Sequence, residues 1–467
     1  MMPVSTDTLI ARPALAEWYR RNRERSRALF DLIDPDVYYT RPIALRNPIV
    51  FYEGHLPAFS VISFLKRGLG HPGVEPRYET LFARGIDPDS EQEAVPRSGS
   101  GTIWPARQEI LDYGVGVDAA ILQALEQASF DLAGTTHPAM SRGEAIFTAL
   151  EHEAMHQETL LYMWRRLPYA HKRKPQGVQY ELDAAPPPNR KVNVPAGPAG
   201  LGARRGRIPF GWDNEFDELI VPVPAFDIDA HSVTNAEYLQ FIGDGGYDRR
   251  ELWDDASWEW REAEKVSYPA FWVPEGDGAR AGSALAKERW AWRGMFEDIP
   301  LPAAWPVYVS QAEASAYARW LGRRLPSEAE FHRAAFGTPA GSDSPHPWGA
   351  ADPAPHHGNF DFTSWEPVPA GARPQGASAW GVQDLVGNGW EWTETEFGPF
   401  PGFEPMPSYP EYSAEFFDGR HVVLKGASPA TARELIRPSF RNWFRTNYPY
   451  VYAKFRTVSR ANRQAGQ

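Results

Sequence analysis

The chain has 467 residues, too many for one ordinary core and enough for two domains, and its 42% hydrophobic and 23% charged residues are typical of a folded protein. A formal net charge of −12 with scattered Lys and Arg argues against a nucleic-acid partner, because phosphate backbones call for clustered cations. With no cysteine, the chain has no disulfide, thiolate-held zinc, iron–sulfur cluster or cysteine nucleophile, so any metal falls to His, Asp or Glu.

The opening MMPVSTDTLIARPALAEW has no apolar run of signal-peptide length, and no later segment nears the ~20 apolar residues of a membrane helix. A cytoplasmic protein with no membrane partner is expected. Apolar residues recur every three or four positions near residues 13–33, 48–67, 105–128 and 141–167, which predicts four helices and an antiparallel bundle over residues 8–167. Residues 168–198 carry prolines and charges without periodicity and are predicted to be a connector. From 199 to 460 short apolar runs broken by Gly, Pro, Asn and Asp predict an α+β domain with few helices. Its clearest helical stretch, residues 310–336, is split at Leu325-Pro326, and Ser327 followed by Glu330 has the spacing of a capping box.

In GEAIFTALEHEAMHQETLLYMWRRL, His152 and His156 lie four apart, so on a helix they leave the same face one turn apart and can share an ion. Read literally, His152-Glu153-Ala154-Met155-His156 is the H-E-x-x-H string of zinc peptidases, with Glu153 as general base. Two hydrogen-bonded core histidines fit the same spacing. Catalytic metal sites commonly use three protein ligands, and the third candidate is His55 in NPIVFYEGHLPAF, on a helix that starts at Asn47-Pro48 and is apolar enough to bury it. The 13% aromatic content, with 18 Trp, fits either a ring-rich core or a pocket for a cation.

NPIVFYEGH and HEAMHQE, followed in order by VPAGPAGLG, WDNEFDE, HSVTNAEYLQFI, AYARWLGRRLPSEAEF, GNGWEWTETEF, LKGAS and RPSFRNWF, resemble the ergothioneine sulfoxide synthase family and its relative selenoneine synthase over nearly the whole chain. The resemblance implies a DinB-like four-helix bundle followed by a formylglycine-generating-enzyme-like, C-type-lectin-related α+β domain. It implies that His55, His152 and His156 bind iron(II), that oxygen is a cosubstrate, and that a sulfur or selenium donor is joined to hercynine, the betaine of histidine. Tyr409, or second Tyr412, in EPMPSYPEYS would pass a proton or hydrogen atom to reduced oxygen. Asn442 and Trp443, with Phe444, Tyr448 or Tyr450 beside the Trp, would hold the betaine, whose quaternary ammonium is best met by aromatic faces. The site would then lie between the domains.

Relatives that use γ-glutamylcysteine carry an acidic residue directly after the Asn-Trp pair and an Arg four positions further on. Here those positions are Phe444 and Tyr448, which disfavours that donor and suits an uncharged selenosugar. NPIVFYEGHLPAF and FARGIDPD look closer to the ovothiol-type synthases, which take free cysteine. Trp390, Glu391 and Trp392 in GNGWEWT are expected in the core. Two other readings stay open: a zinc hydrolase using Glu153, and a non-catalytic binding module.

Overall fold

The computed structural model describes residues 12–83, 104–128, 137–188, 190–275 and 289–461. Residues 84–89 of FARGIDPD, and residues 8–11 at the start of the expected bundle, lie outside these. The chain divides into two compact units. The first comprises Met1–Gln176 with two short segments distant in sequence, Gly206–Asp213 and Glu404–Tyr412; the second comprises Gly177–Arg205, Asn214–Phe403 and Ser413–Gln467.

In the first unit the four periodic stretches are helical, in α1 (Arg12–Phe30), α2 (Ile49–Ser60), α4 (Arg107–Gln127) and α5 (Glu144–Arg165), and a short α3 (Pro76–Leu81) lies between α2 and α4. Every residue of α2 is buried, as its apolar sequence demands. The stretch predicted as one helix over 48–67 is two geometries. α2 carries Pro57 in its interior, and from Val61 to Gly68 the hydrogen bonding widens to a π-helix. Proline removes a helical N–H and crowds the carbonyl four residues back, and π turns recur at functional sites. The unpredicted α3 is a short capped turn whose Glu75 side chain accepts from Arg77 N. Among the described residues no helix is long and apolar enough to cross a membrane.

The second unit is α+β. Its strands are β1 (Lys191–Val194), β2 (Gly197–Leu201), β3 (Leu219–Val223), β4 (Phe226–Asp229), β5 (Trp272–Glu275), β6 (Arg289–Arg293), β7 (Asp298–Pro300), β8 (Gly389–Glu396), β9 (His421–Ala427), β10 (Asn442–Arg445), β11 (Ala453–Lys454) and β12 (Val458–Arg460). They form sheets ordered β1-β4-β12, β10-β9-β8-β11, β2-β3 and β5-β6-β7. Four short helices accompany them, α6 (Asn235–Gly243), α7 (Asp255–Ala263), α8 (Gln311–Trp320) and α9 (Glu328–Ala335).

The capping box before α9 is formed: Glu330 N donates to Ser327 Oγ at 3.2 Å and Ser327 N donates to Glu330 Oε2 at 2.9 Å. Ser310 and Glu313 make the same reciprocal pair before α8, and Thr234 and Glu237 before α6. Trp390 and Trp392 are buried, and the Glu391 carboxylate is enclosed between Lys454 and Arg456, so this motif is core.

Candidate metal centre

His55 stands in the middle of α2 and His152 and His156 one turn apart on α5, and the fold brings the three together. Among the described residues they are the one group of three His, Asp or Glu side chains with ligand atoms all within 4.8 Å of one another. His152 is central: its Nε2 lies 3.3 Å from His55 Nε2 and 3.1 Å from His156 Nε2.

Aromatic rings fix the imidazoles. Phe51 stacks on His55 at 4.9 Å between centroids, Phe59 stacks on His152 at 3.5 Å, and Tyr52 lies tilted against His156 at 5.7 Å. His55 and His152 are buried and His156 is half-buried, and desolvation pushes each histidine below its ordinary pKa. For His55 burial outweighs the opposing hydrogen bond to Phe82 O, and the value falls to about 4. For His152 burial is joined by the other two histidines, and for His156 by His55 and the Arg46 cation; both fall well below the usual range. Neutral imidazoles keep the lone pairs that a metal needs.

The donor set fits a divalent ion. A carbonyl only accepts, so the 2.8 Å contact between His55 Nδ1 and Phe82 O places the proton on Nδ1 and the lone pair on Nε2, facing the other two Nε2 atoms. Converging lone pairs repel one another, and a cation between them removes that cost. His156 Nδ1 is buried with no hydrogen-bond partner among the described residues, while its Nε2 faces His152 Nε2. Imidazoles suit zinc, copper, iron and nickel alike, so the ligand set leaves the metal's identity to other arguments.

Glu153 is turned elsewhere. Its Oε1 accepts from Arg23 Nη1 at 2.8 Å and Ser26 Oγ at 2.6 Å, both on α1, and the side chain is buried. Paired in this way, Glu153 serves the α1–α5 interface, and the peptidase reading loses its base. Glu153→Gln is therefore expected to lower stability by about 1–3 kcal/mol, because Arg23 keeps Asp118 but loses one charged partner. Metal bound per folded chain should not change. Thermal unfolding and metal analysis check both halves, and loss of metal at unchanged stability would contradict this role.

Tyr409 belongs to the first unit, with its ring 6.2 Å from that of His152 and edge-on to Phe59 at 5.0 Å. Its segment is pinned to the helices: Ser408 N donates to Glu144 Oε1 at 2.9 Å, the Ser408 and Thr148 hydroxyls lie 2.8 Å apart, and Arg67 donates to Ser408 O at 3.1 Å. Tyr412 is buried, stacked on Trp212 at 3.9 Å, and its hydroxyl donates to Met155 Sδ at 3.4 Å.

Asn442, Trp443 and Phe444 sit on β10 in the second unit, half-buried. Neighbouring strand residues face opposite ways. Trp443 lies flat on Phe397 at 4.3 Å with Phe416 beside it at 5.6 Å, whereas Phe444 stacks on Tyr448 at 5.3 Å and Tyr448 meets Tyr450 edge-on at 5.2 Å.

Residues 179–461 match the Sulfatase-modifying factor enzyme 1-like domain family, and residues 19–160 match the DinB superfamily. The chain is 34% identical over 475 residues to a hercynine oxygenase of Mycolicibacterium thermoresistibile, covering 98% of each. It is 32% identical to a hercynine oxygenase of Mycolicibacterium smegmatis over 93% of this chain and 96% of that one. It is 28% identical to ergothioneine biosynthesis protein 1 of Neurospora crassa over 90% of this chain and 54% of that one.

Proposed function

The chain belongs to the hercynine oxygenase family, and on that premise we propose that it oxidatively joins a sulfur- or selenium-bearing donor to the imidazole ring of hercynine, with iron(II) held by His55, His152 and His156. The observation that carries the metal part is the convergence of three imidazole nitrogens within 4.8 Å. Bound iron(II) would supply redox chemistry and open positions for a thiolate or selenolate and for oxygen. For a thiol the reaction closes without an external reductant: a ring C–H, an S–H and O2 give a C–S bond, a sulfoxide oxygen and water.

The chain's own residues have distinct tasks in this reading. The three neutral imidazoles leave the cation its full charge. Tyr409 holds a phenolic proton on the side of His152. Trp443 offers an aromatic face to the trimethylammonium group and Asn442 an amide to the carboxylate. Phe444 and Tyr448, packed ring on ring, carry no charge at the positions where γ-glutamylcysteine users carry an acid and an Arg, which favours a selenosugar or free cysteine as donor.

Trp443→Ala is expected to weaken hercynine binding several-fold to tens-fold, in line with about 0.5–2 kcal/mol for one cation–π contact, at unchanged iron content. Titration calorimetry with hercynine and histidine reads it, and equal affinity of the wild type for both would contradict a betaine site. The function itself is tested by anaerobic iron reconstitution, then mass spectrometry of hercynine incubated in air with cysteine, γ-glutamylcysteine or a selenosugar. A new C–S or C–Se product with one donor is expected, and its mass separates a sulfoxide from a reduced selone or thione. No product with any donor would overturn the reading.

A further inference from the structure

Gly54 lies inside α2, where glycine costs about 1 kcal/mol relative to alanine and where the helix needs no unusual backbone freedom. Its value is space. A Cβ built at Gly54 would meet Cε2 and Cζ of Phe82 at 2.4 Å. The Phe82 ring is fully buried in that notch, stacked on Trp104 at 6.0 Å and tilted against Phe51, the ring that itself stacks on His55.

Phe82 also closes α3 as its C-cap residue, and the last carbonyls of a helix have no partner within it. Phe82 O is one of these, and it accepts His55 Nδ1–H at 2.8 Å. The mount beneath it is held in turn. Glu79 of α3 accepts from Val74 N at 2.6 Å, from Glu75 N at 2.9 Å and from Lys66 Nζ at 3.0 Å, tying α3 to the π-helical stretch.

We propose that Phe82, through its backbone carbonyl, and Gly54, through the notch that seats the Phe82 ring, are positioning residues that fix the tautomer and direction of His55 for metal binding. The proposal rests on the reading of the three histidines as a metal site. The carbonyl keeps the proton on Nδ1, so the Nε2 lone pair faces the other two histidines, and it makes that nitrogen a better donor.

Cobalt(II), titrated into the metal-stripped full chain and followed by its visible absorption, serves as the probe. Wild type should bind one equivalent, and His55→Ala should bind far more weakly. Gly54→Ala should weaken binding roughly 10- to 100-fold, the range for losing a partner behind a ligand, and alter the shape of the cobalt bands while the far-ultraviolet circular dichroism stays the same. Phe82→Ala, which empties the notch instead of overfilling it, should shift affinity and bands in the same direction because the carbonyl loses its anchor. Wild-type affinity and bands in a folded Gly54→Ala overturn the proposal, and if that variant does not fold, the same result in Phe82→Ala overturns it. Wild type that binds no cobalt(II) overturns the metal reading itself.

Discussion

His152→Ala is expected to abolish stoichiometric metal binding and, with it, product formation. His152 is the middle of the cluster, 3.3 Å from His55 Nε2 and 3.1 Å from His156 Nε2, so its removal leaves two nitrogens without the one that bridges them. Loss of a ligand should exceed the roughly 10- to 100-fold effect of losing a partner behind one. The substitution also empties space against Phe59, now stacked at 3.5 Å, at about 2–5 kcal/mol for a large-to-small change in a core. His152→Gln fills most of that volume without an imidazole and separates the two effects. Metal analysis and product formation should fail in both variants, whereas thermal stability should fall mainly in the alanine one. Full metal content in either variant would remove His152 from the ligand set.

How much of this centre was written in the sequence differs from residue to residue. The four-residue spacing of His152 and His156 is local and survives any packing, so their shared face was legible. His55 is 97 residues before His152, and its buried setting was legible from the apolar α2, but its approach to the pair required the family resemblance. The Phe82 carbonyl behind His55 was not legible, because a backbone acceptor has no side-chain signature. The same holds for the widening of α2 into a π-helix. Glu153 is the reverse case: its place in the string allowed a base, the rival reading, and its burial against Arg23 and Ser26 of α1 gives it a structural task. Trp443 and Phe444, next to each other in the sequence, have different ring partners, because strand neighbours face opposite ways.

The segment carrying Tyr409 shows why the second half of a sequence can contribute to a site in the first. Ser408 is bound by Glu144, Thr148 and Arg67, and Trp212, from another distant segment, donates to Glu151 Oε2 at 2.8 Å while stacking on Tyr412. Each contact spans more than 60 residues in sequence, and hydrogen bonds at that separation leave no periodic pattern. The segment is therefore fixed against α5 by polar anchors at Glu144 and Thr148, about two turns and one turn before His152.

Tyr409→Phe, in contrast to the ligand variants, should bind metal as the wild type does and still lose most of the joining activity. The change removes one hydroxyl. It keeps the ring that lies edge-on to Phe59 at 5.0 Å, so no cavity opens and the imidazole of His152 keeps its neighbours. What disappears is the hydroxyl of the tyrosine whose ring lies 6.2 Å from that of His152, whereas the Tyr412 hydroxyl is directed to Met155 Sδ. Removal of a positioned proton donor typically costs about 10²–10⁴-fold in rate, and the reaction should slow by that order or be diverted to another product. Tyr412→Phe should have a much smaller effect, because the thioether it loses is a weak acceptor. Rates and product masses from the two variants, measured at equal iron content, decide the matter. A Tyr409→Phe enzyme with wild-type rate and product would exclude Tyr409 from the chemistry, and a large loss in Tyr412→Phe alone would transfer the role to Tyr412.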